Sequence, residues 1–176
     1  MSDDCNFHKG ELAAQQRWRT SEIWDAARRK RLLWDSIPEQ LMARVAAAPF
    51  FFLATSNSAG ECDCSFKGGG PGLIHMLDSK RFAFPDFDGN GAFMSLGNIL
   101  ENPQVGCLFM DFNDGARLRV NGRATIHTEG AMRELFPAAP RVVLVEVALV
   151  VPNCKAYVPR LVPKDSVDAT ISSFEN

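Results

Sequence analysis

The sequence predicts a mainly β protein with a helical N-terminal arm, an α+β arrangement in which six antiparallel strands form a small barrel. Three observations predict it: helix formers at helical spacing in the first part of the chain, strand-like alternation after Pro49, and turn formers that interrupt that β region at regular intervals. A chain of 176 residues that is 46% hydrophobic has enough apolar material for one buried core. The parts divide as a helical arm over 1–48, a barrel over 49–158 and a C-terminal tail over 159–176.

In the arm, Glu11 to Ala48 is helix-forming and locally basic. Thr20-Ser21-Glu22 offers an N-cap, and Trp24, Ala27, Arg31 and Trp34 then recur at helical spacing. Pro38 suits a first helical turn, and Leu33, Ile37, Leu41 and Val45 carry an i, i+4 stripe across it. The basic run Arg28 to Arg31 is flanked by Asp25 and Asp35, which reads as the solvated face of an amphipathic helix rather than a nucleic-acid patch.

Pro49 changes the period. Phe50 to Thr55 and Glu61 to Lys67 flank the turn Asn57 to Gly60, a β-hairpin pattern. Leu73 to Leu77 and Arg81 to Phe84 pair around Asp78-Ser79, and Gln104 to Phe112 and Ala116 to His127 pair around Asn113-Asp114-Gly115. Phe93 to Glu101 reads as a short helix closed by Asn102-Pro103. The last strand, Arg141 to Val151, is apolar on both faces, so both need cover from an arm helix or a second subunit. From Val158 the chain turns polar and proline-interrupted, a loosely held extension.

Charge and composition exclude several classes. Nineteen Lys+Arg against 21 Asp+Glu leave a net charge of −2, which steers the protein to neither nucleic acid nor anionic membrane. No window is long and apolar enough to span a bilayer. The acidic opening Met1-Ser2-Asp3-Asp4 lacks a signal-peptide pattern, and five cysteines form no disulfide framework, so a cytoplasmic location is expected. Cys62 and Cys64 point the same way on a strand but lack a partner pair for zinc, and read as half-buried thiols. Asp86 to Gly91 matches half of a calcium loop, yet its twelfth position is Gly97 and a strand precedes it, so no metal is expected.

Gly89-Asn90-Gly91 before a helix is a better lead. Glycines permit a tight turn, Asn90 suits an N-cap, and the free amides of a helix start attract anions. Ser65-Phe66-Lys67 ends its strand with a cation ahead of the glycine-rich stretch 68–72, and Ser95 and Asn98 share a helical face. Taken singly, these are turn residues, a cap and a solvated lysine; together they favour a phosphate-bearing ligand. Neither a Walker loop nor a dinucleotide fingerprint is present. His8, His75 and His127 form no metal set or triad, with His75, just after the glycine stretch, the one nearest a functional position. No catalytic residue is assigned.

These motifs in this order resemble the pyridoxamine 5'-phosphate oxidase-like family of FMN-binding split barrels. The residues that carry the resemblance are Phe52 to Thr55, Gly60 to Lys67, Gly89 to Gly91 with Ser95 to Ile99, Glu101 to Pro103 before Val105-Gly106, Arg119 to Ala124 and Pro152 to Tyr157. Phe7 to Glu11 is similar to the N-terminal arm of one branch of the family, distinct from the vitamin-oxidising enzymes. The resemblance implies a homodimer with FMN at the subunit interface. It implies flavin contacts from Ser65, Phe66, Lys67, Phe84, Pro85, Asn90, Gly91, Ser95, Leu96, Asn98, Arg119, Lys155 and Tyr157. Among them Ser65, Lys67 and the Asn90-Gly91 turn meet the phosphate, Ser95 and Asn98 support the phosphate or ribityl chain, and Cys154 to Tyr157 approaches the flavin across the dimer.

Two departures matter. Relatives often carry an arginine just after the Gly-Asn turn, where this chain has Gly91-Ala92-Phe93. The phosphate charge then rests on Lys67 and helix amides, with Arg117 or Arg119 available from a neighbouring strand. The basic substrate-binding residues of the vitamin-oxidising enzymes are not recognisable in the tail, so that activity is not implied. What the resemblance implies is an FMN-dependent oxidoreductase that moves electrons between a reduced nicotinamide or other donor and a small acceptor. A non-catalytic flavin carrier or sensor, and a deazaflavin-using relative, stand as alternatives.

Overall fold

The computed structural model describes residues 7–153 and 155–161. Cys154 and residues 162–176, with most of the expected tail, lie outside the described residues. The arm opens with helix α1 (Lys9–Arg17). His8 caps it: the imidazole Nδ1 accepts from the amides of Gly10 at 3.1 Å and Glu11 at 3.4 Å, and the Glu11 carboxylate accepts from the His8 amide at 2.9 Å. That reciprocal pair is a capping box, which satisfies otherwise orphaned amides at the helix start. Thr20 makes no side-chain cap, and the chain beyond it forms only a single 3-10 turn, Ser21–Ile23. Helix α2 (Ala26–Leu32) starts instead at Asp25, whose carboxylate accepts from the Arg28 amide at 2.7 Å. Helix α3 (Glu39–Ala46) begins directly after Pro38.

The expected helical stripe through Trp34 is corrected. Trp34 is extended and bridges Val150, with Trp34 N–H donating to the Val150 carbonyl at 3.0 Å and the reverse bond at 2.7 Å. The reason is an open strand edge: the neighbouring strand stops pairing at Glu146, and the backbone groups beyond it need partners. Leu33, Ile37 and Val45 are nonetheless buried, with Ile37 fully so. Their burial comes from an extended segment followed by α3, not from one continuous helix.

The β region forms one sheet of seven strands, not six. They are β1 (Phe50–Ser56), β2 (Cys62–Gly68), β3 (His75–Asp78), β4 (Arg81–Asp86), β5 (Gln104–Met110), β6 (Arg117–His127) and β7 (Arg141–Asn153). All neighbours are antiparallel, in the order β2-β1-β5-β6-β7-β4-β3. No ladder joins the edges β2 and β3, so the sheet is open. It is curled all the same: the rings of Phe51 on β1 and Phe84 on β4 meet at 5.0 Å, although three strands separate β1 from β4 in the sheet. Closure fails at β2 for a chemical reason. Its inward residues are Asp63, Ser65 and Lys67, and polar groups of that kind are not packed into an apolar core without partners.

Strand β7 explains its own composition. Val143, Val145 and Val147 point into the core, the register to β6 then shifts by one residue at Asn121/Gly122, and Val150 continues the inward series. The extra residue is Ala148, a β-bulge that changes the parity of the strand. Part of the two-faced apolar pattern is therefore one face that switches phase. The outer face near Val142 is covered by a short helix the sequence pattern did not announce, α5 (Gly130–Glu134), which packs on β6 and β7.

Helix α4 (Met94–Glu101) lies against β1 and buries Ser95, Leu96 and Ile99. Among the described residues no helix is long and apolar enough to cross a membrane.

Candidate functional site

A cleft of about 220 Å³ opens where the sheet fails to close, between β2, the end of β4 and the start of α4. Strand alternation turns Asp63, Ser65 and Lys67 of β2 toward it. The loop after β4 contributes Gly89, Asn90 and Gly91, and α4 contributes Ser95 and Leu96. Six of the expected cofactor residues, Ser65, Lys67, Asn90, Gly91, Ser95 and Leu96, thus line one cleft.

The local chemistry is specific. The Ser65 and Ser95 hydroxyl oxygens are 2.9 Å apart, and Ser95 Oγ donates to Asp63 Oδ2 at 3.2 Å. Asn90 does not cap α4. Its Oδ1 accepts from the Ala92 amide at 3.0 Å, an Asx turn, while Gly91 takes a left-handed φ of 77°. The N-cap is Phe93, also left-handed at φ 50°, and it has no side-chain acceptor to offer the first turn. A non-glycine residue in that region is uncommon, and an eight-residue helix without a capping side chain leaves its first amides to whatever occupies the cleft.

Asp86 sits at the back of this group, 8% exposed. Its Oδ2 accepts from Arg141 Nε at 2.8 Å, and its Oδ1 lies 3.9 Å from Lys67 Nζ. Arg141 also reaches Asp88 Oδ1 at 2.5 Å and stands 4.9 Å over the Phe93 ring. Hydrogen bonds to Asp88 and then Asp86 raise the Arg141 pKa, so its charge is permanent. The half-match to a calcium loop therefore has its first carboxylate engaged by cations. Among the described residues no group of three or more His, Cys, Asp or Glu could hold a metal ion.

The remaining expected residues lie elsewhere in this chain. Phe66 points to the other face of β2, 62% exposed, and joins Phe50 and Phe52 in an aromatic cluster with a 5.3 Å stack to Phe50. Phe84 and Pro85 are buried in β4. Asn98 donates to Thr55 Oγ1 at 3.0 Å and so pins α4 to β1. Arg119 donates to Asn153 Oδ1 at 3.0 Å, and Lys155 to Asp114 Oδ2 at 2.9 Å. Tyr157 is fully exposed. Lys155 and Tyr157 follow the C-terminal end of β7, whereas Arg141 starts that strand. Lys155 instead lines a second, mainly apolar cavity of about 680 Å³ with Phe50, Phe109, Phe112 and Leu118. His75 is exposed on β3, edge-on to Phe136 at 6.5 Å. Cys62 and Cys64 are exposed rather than half-buried, because β2 is an edge strand whose outer face they share.

Sequence reasoning missed the role of Arg141, and read Asp86 and Asp88 only within a failed calcium loop. The pairing Asp86↔Arg141 across β4 and β7 needs a register between distant segments. The one local hint was Arg141 itself, a charge opening an otherwise apolar strand.

Comparison with known proteins gives a consistent picture. A sequence model described as pyridoxamine 5'-phosphate oxidase matches residues 37–162. Among solved structures, a variant of HupZ from Group A Streptococcus is 20% identical with a TM-score of 0.54, covering 66% of this chain and 99% of that one. Unaltered HupZ from the same organism is 20% identical with a TM-score of 0.51, covering 65% and 92%. A candidate pyridoxamine 5'-phosphate oxidase from Lactobacillus delbrueckii is 17% identical with a TM-score of 0.53, covering 66% and 94%. At these identities the likeness is one of fold. No curated protein matches the sequence.

Proposed function

The chain belongs to the pyridoxamine 5'-phosphate oxidase family, and from that membership we propose that it binds FMN as a homodimer and works as a flavin-dependent oxidoreductase on a small acceptor. The observation that carries the reading is the donor set around one cleft: the Lys67 ammonium, the Ser65 and Ser95 hydroxyls and the uncapped start of α4. These residues fit a phosphate, since a cation, hydroxyl donors and helix amides converge there. The carboxylate of Asp86 is already matched by Arg141, so it does not cancel the fit.

The cleft, at about 220 Å³, suits a phosphate and part of its chain rather than a tricyclic ring. The ring then needs a second surface, which is where a partner subunit enters. The aromatic cluster on the outer face of β1 and β2, in which exposed Phe66 packs on half-buried Phe50 and Phe52, supports association, because apolar patches mark interaction surfaces. In that arrangement Arg119, Lys155 and Tyr157 serve the flavin bound by the other protomer.

Bound FMN supplies the electron-transfer chemistry. The protein's part is to hold and exclude. Lys67 fixes the anion, the Ser95 hydroxyl turns from Asp63 and the Ser65 hydroxyl from Ser95 to donate to it, and Gly91 lets backbone approach closely. The test is to load the purified protein with FMN, pass it through gel filtration, and mix it anaerobically with NADPH and with NADH. A dimer that retains flavin and loses its oxidised absorbance supports the oxidoreductase. A dimer that stays yellow with both reductants leaves a carrier, and a protein that sheds FMN overturns the reading.

A further inference from the structure

We propose that Arg141 is a positioning residue that keeps Lys67 available to an anion by holding Asp86 as its own counter-ion; the proposal rests on the phosphate reading of the cleft. The β4–β7 ladder sets Asp86 opposite Arg141. A carboxylate as buried as Asp86 must be paired, and two cations stand beside it. They are not equivalent. Arg141 Nε meets Asp86 Oδ2 at 2.8 Å, the length of a charge-assisted hydrogen bond. Lys67 Nζ is 3.9 Å from Oδ1, too far to donate one.

Arg141 is itself fixed from three directions, by Asp86, by Asp88 at 2.5 Å and by the Phe93 ring at 4.9 Å. It does not line the cleft; Lys67 is the one cation among the described residues that does. Remove the guanidinium and Lys67 becomes the nearest described counter-ion of Asp86. The carboxylate then closes on the ammonium, and the cleft loses its positive charge. An arginine from β7 thus does indirectly what no side chain after the Gly-Asn turn does here.

The experiment is a titration of FMN and of riboflavin into wild type, Arg141→Gln, Arg141→Lys and the double variant Arg141→Gln/Asp86→Asn. Arg141→Gln should weaken FMN about tenfold, the worth of one charge-assisted contact, with riboflavin changing by less than about twofold. Arg141→Lys keeps a cation on Asp86 and should retain most of the FMN affinity. The double variant should recover FMN binding to within about threefold of wild type, because the buried carboxylate beside Lys67 is gone. Equal losses for both flavins in Arg141→Gln, or a double variant no better than the single, would overturn the proposal. Wild type that binds FMN no more tightly than riboflavin would sink the phosphate reading instead. In that event a flavin-free measurement still decides on Arg141: the rate at which a small acylating reagent modifies Lys67, followed by peptide mass spectrometry. The rate should fall about threefold in Arg141→Gln and return in the double variant; an unchanged rate in Arg141→Gln overturns the role.

Discussion

Gly122 has no room for a side chain. A Cβ there would lie 2.2 Å from the Glu146 carbonyl oxygen and 3.0 Å from its carbon, and backbone at that distance cannot rotate away. The tightness belongs to the bulge, where β7 carries the extra Ala148 against the Asn121/Gly122 step of β6. Gly122→Ala should therefore cost about 3 kcal/mol, read as a drop in denaturation midpoint at unchanged slope. A loss under about 0.5 kcal/mol would mean the two strands are free to separate there. At this scale the sequence reveals residue types more readily than partners. Ser65, Lys67 and the Asn90-Gly91 turn, which line one cleft, could be singled out because each sits beside a local marker, a strand end or a glycine turn. Arg141 could not, because its value lies in facing Asp86 across a ladder. Asn90 shows the limit of local logic too: the same side chain that can cap a helix closes an Asx turn two residues earlier.

Helix α3 is tied to the β5–β6 turn by charge. Arg44 bridges Asp111 at 2.6 Å and Asp114 at 2.7 Å, and Lys155 holds the other oxygen of Asp114 at 2.9 Å. The hydrogen bond from Lys155, followed by those from the Ala116 amide and Arg44, holds the Asp114 carboxyl well below its ordinary 3.8. A folded-state pKa below the unfolded one gives stability that is present above the unfolded value and lost as pH falls toward the folded value. The melting-temperature gap between wild type and Asp114→Asn should accordingly stay constant from about pH 7 to about pH 5 and shrink below about pH 4. A gap independent of pH would place the contribution in geometry rather than charge. The hairpins around Asn57, Asp78 and Asn113 were legible because turn formers and alternation are local signals. Trp34 was not: its spacing suits a helix, but the unpaired edge of β7 beyond Glu146 recruits it as an extended segment. Nor was α5, since five residues are too few to show a period.

For the molecule as a whole, the decisive feature is a sheet that curls without closing. Its core is continuous from Phe51 through Phe109 to Phe82 and Phe84, while β2 turns Asp63, Ser65 and Lys67 inward and stays unpaired at its outer edge. Alternating apolar strands made a β enclosure legible from the sequence. All seven strands are among the segments read from the sequence, although the barrel was expected to have six; the gap was not legible, because it depends on which polar face meets which edge. That gap is the cleft, and the central claim is that it holds a phosphate. Titrating FMN and riboflavin into wild type and Lys67→Ala tests it most directly. Loss of a charge-assisted contact worth about 1.5–3 kcal/mol should weaken FMN by roughly one to two orders of magnitude while riboflavin, which lacks the phosphate, changes far less. Equal losses for the two flavins, or no loss for either, would contradict the account and leave Lys67 as a charge at the end of a strand.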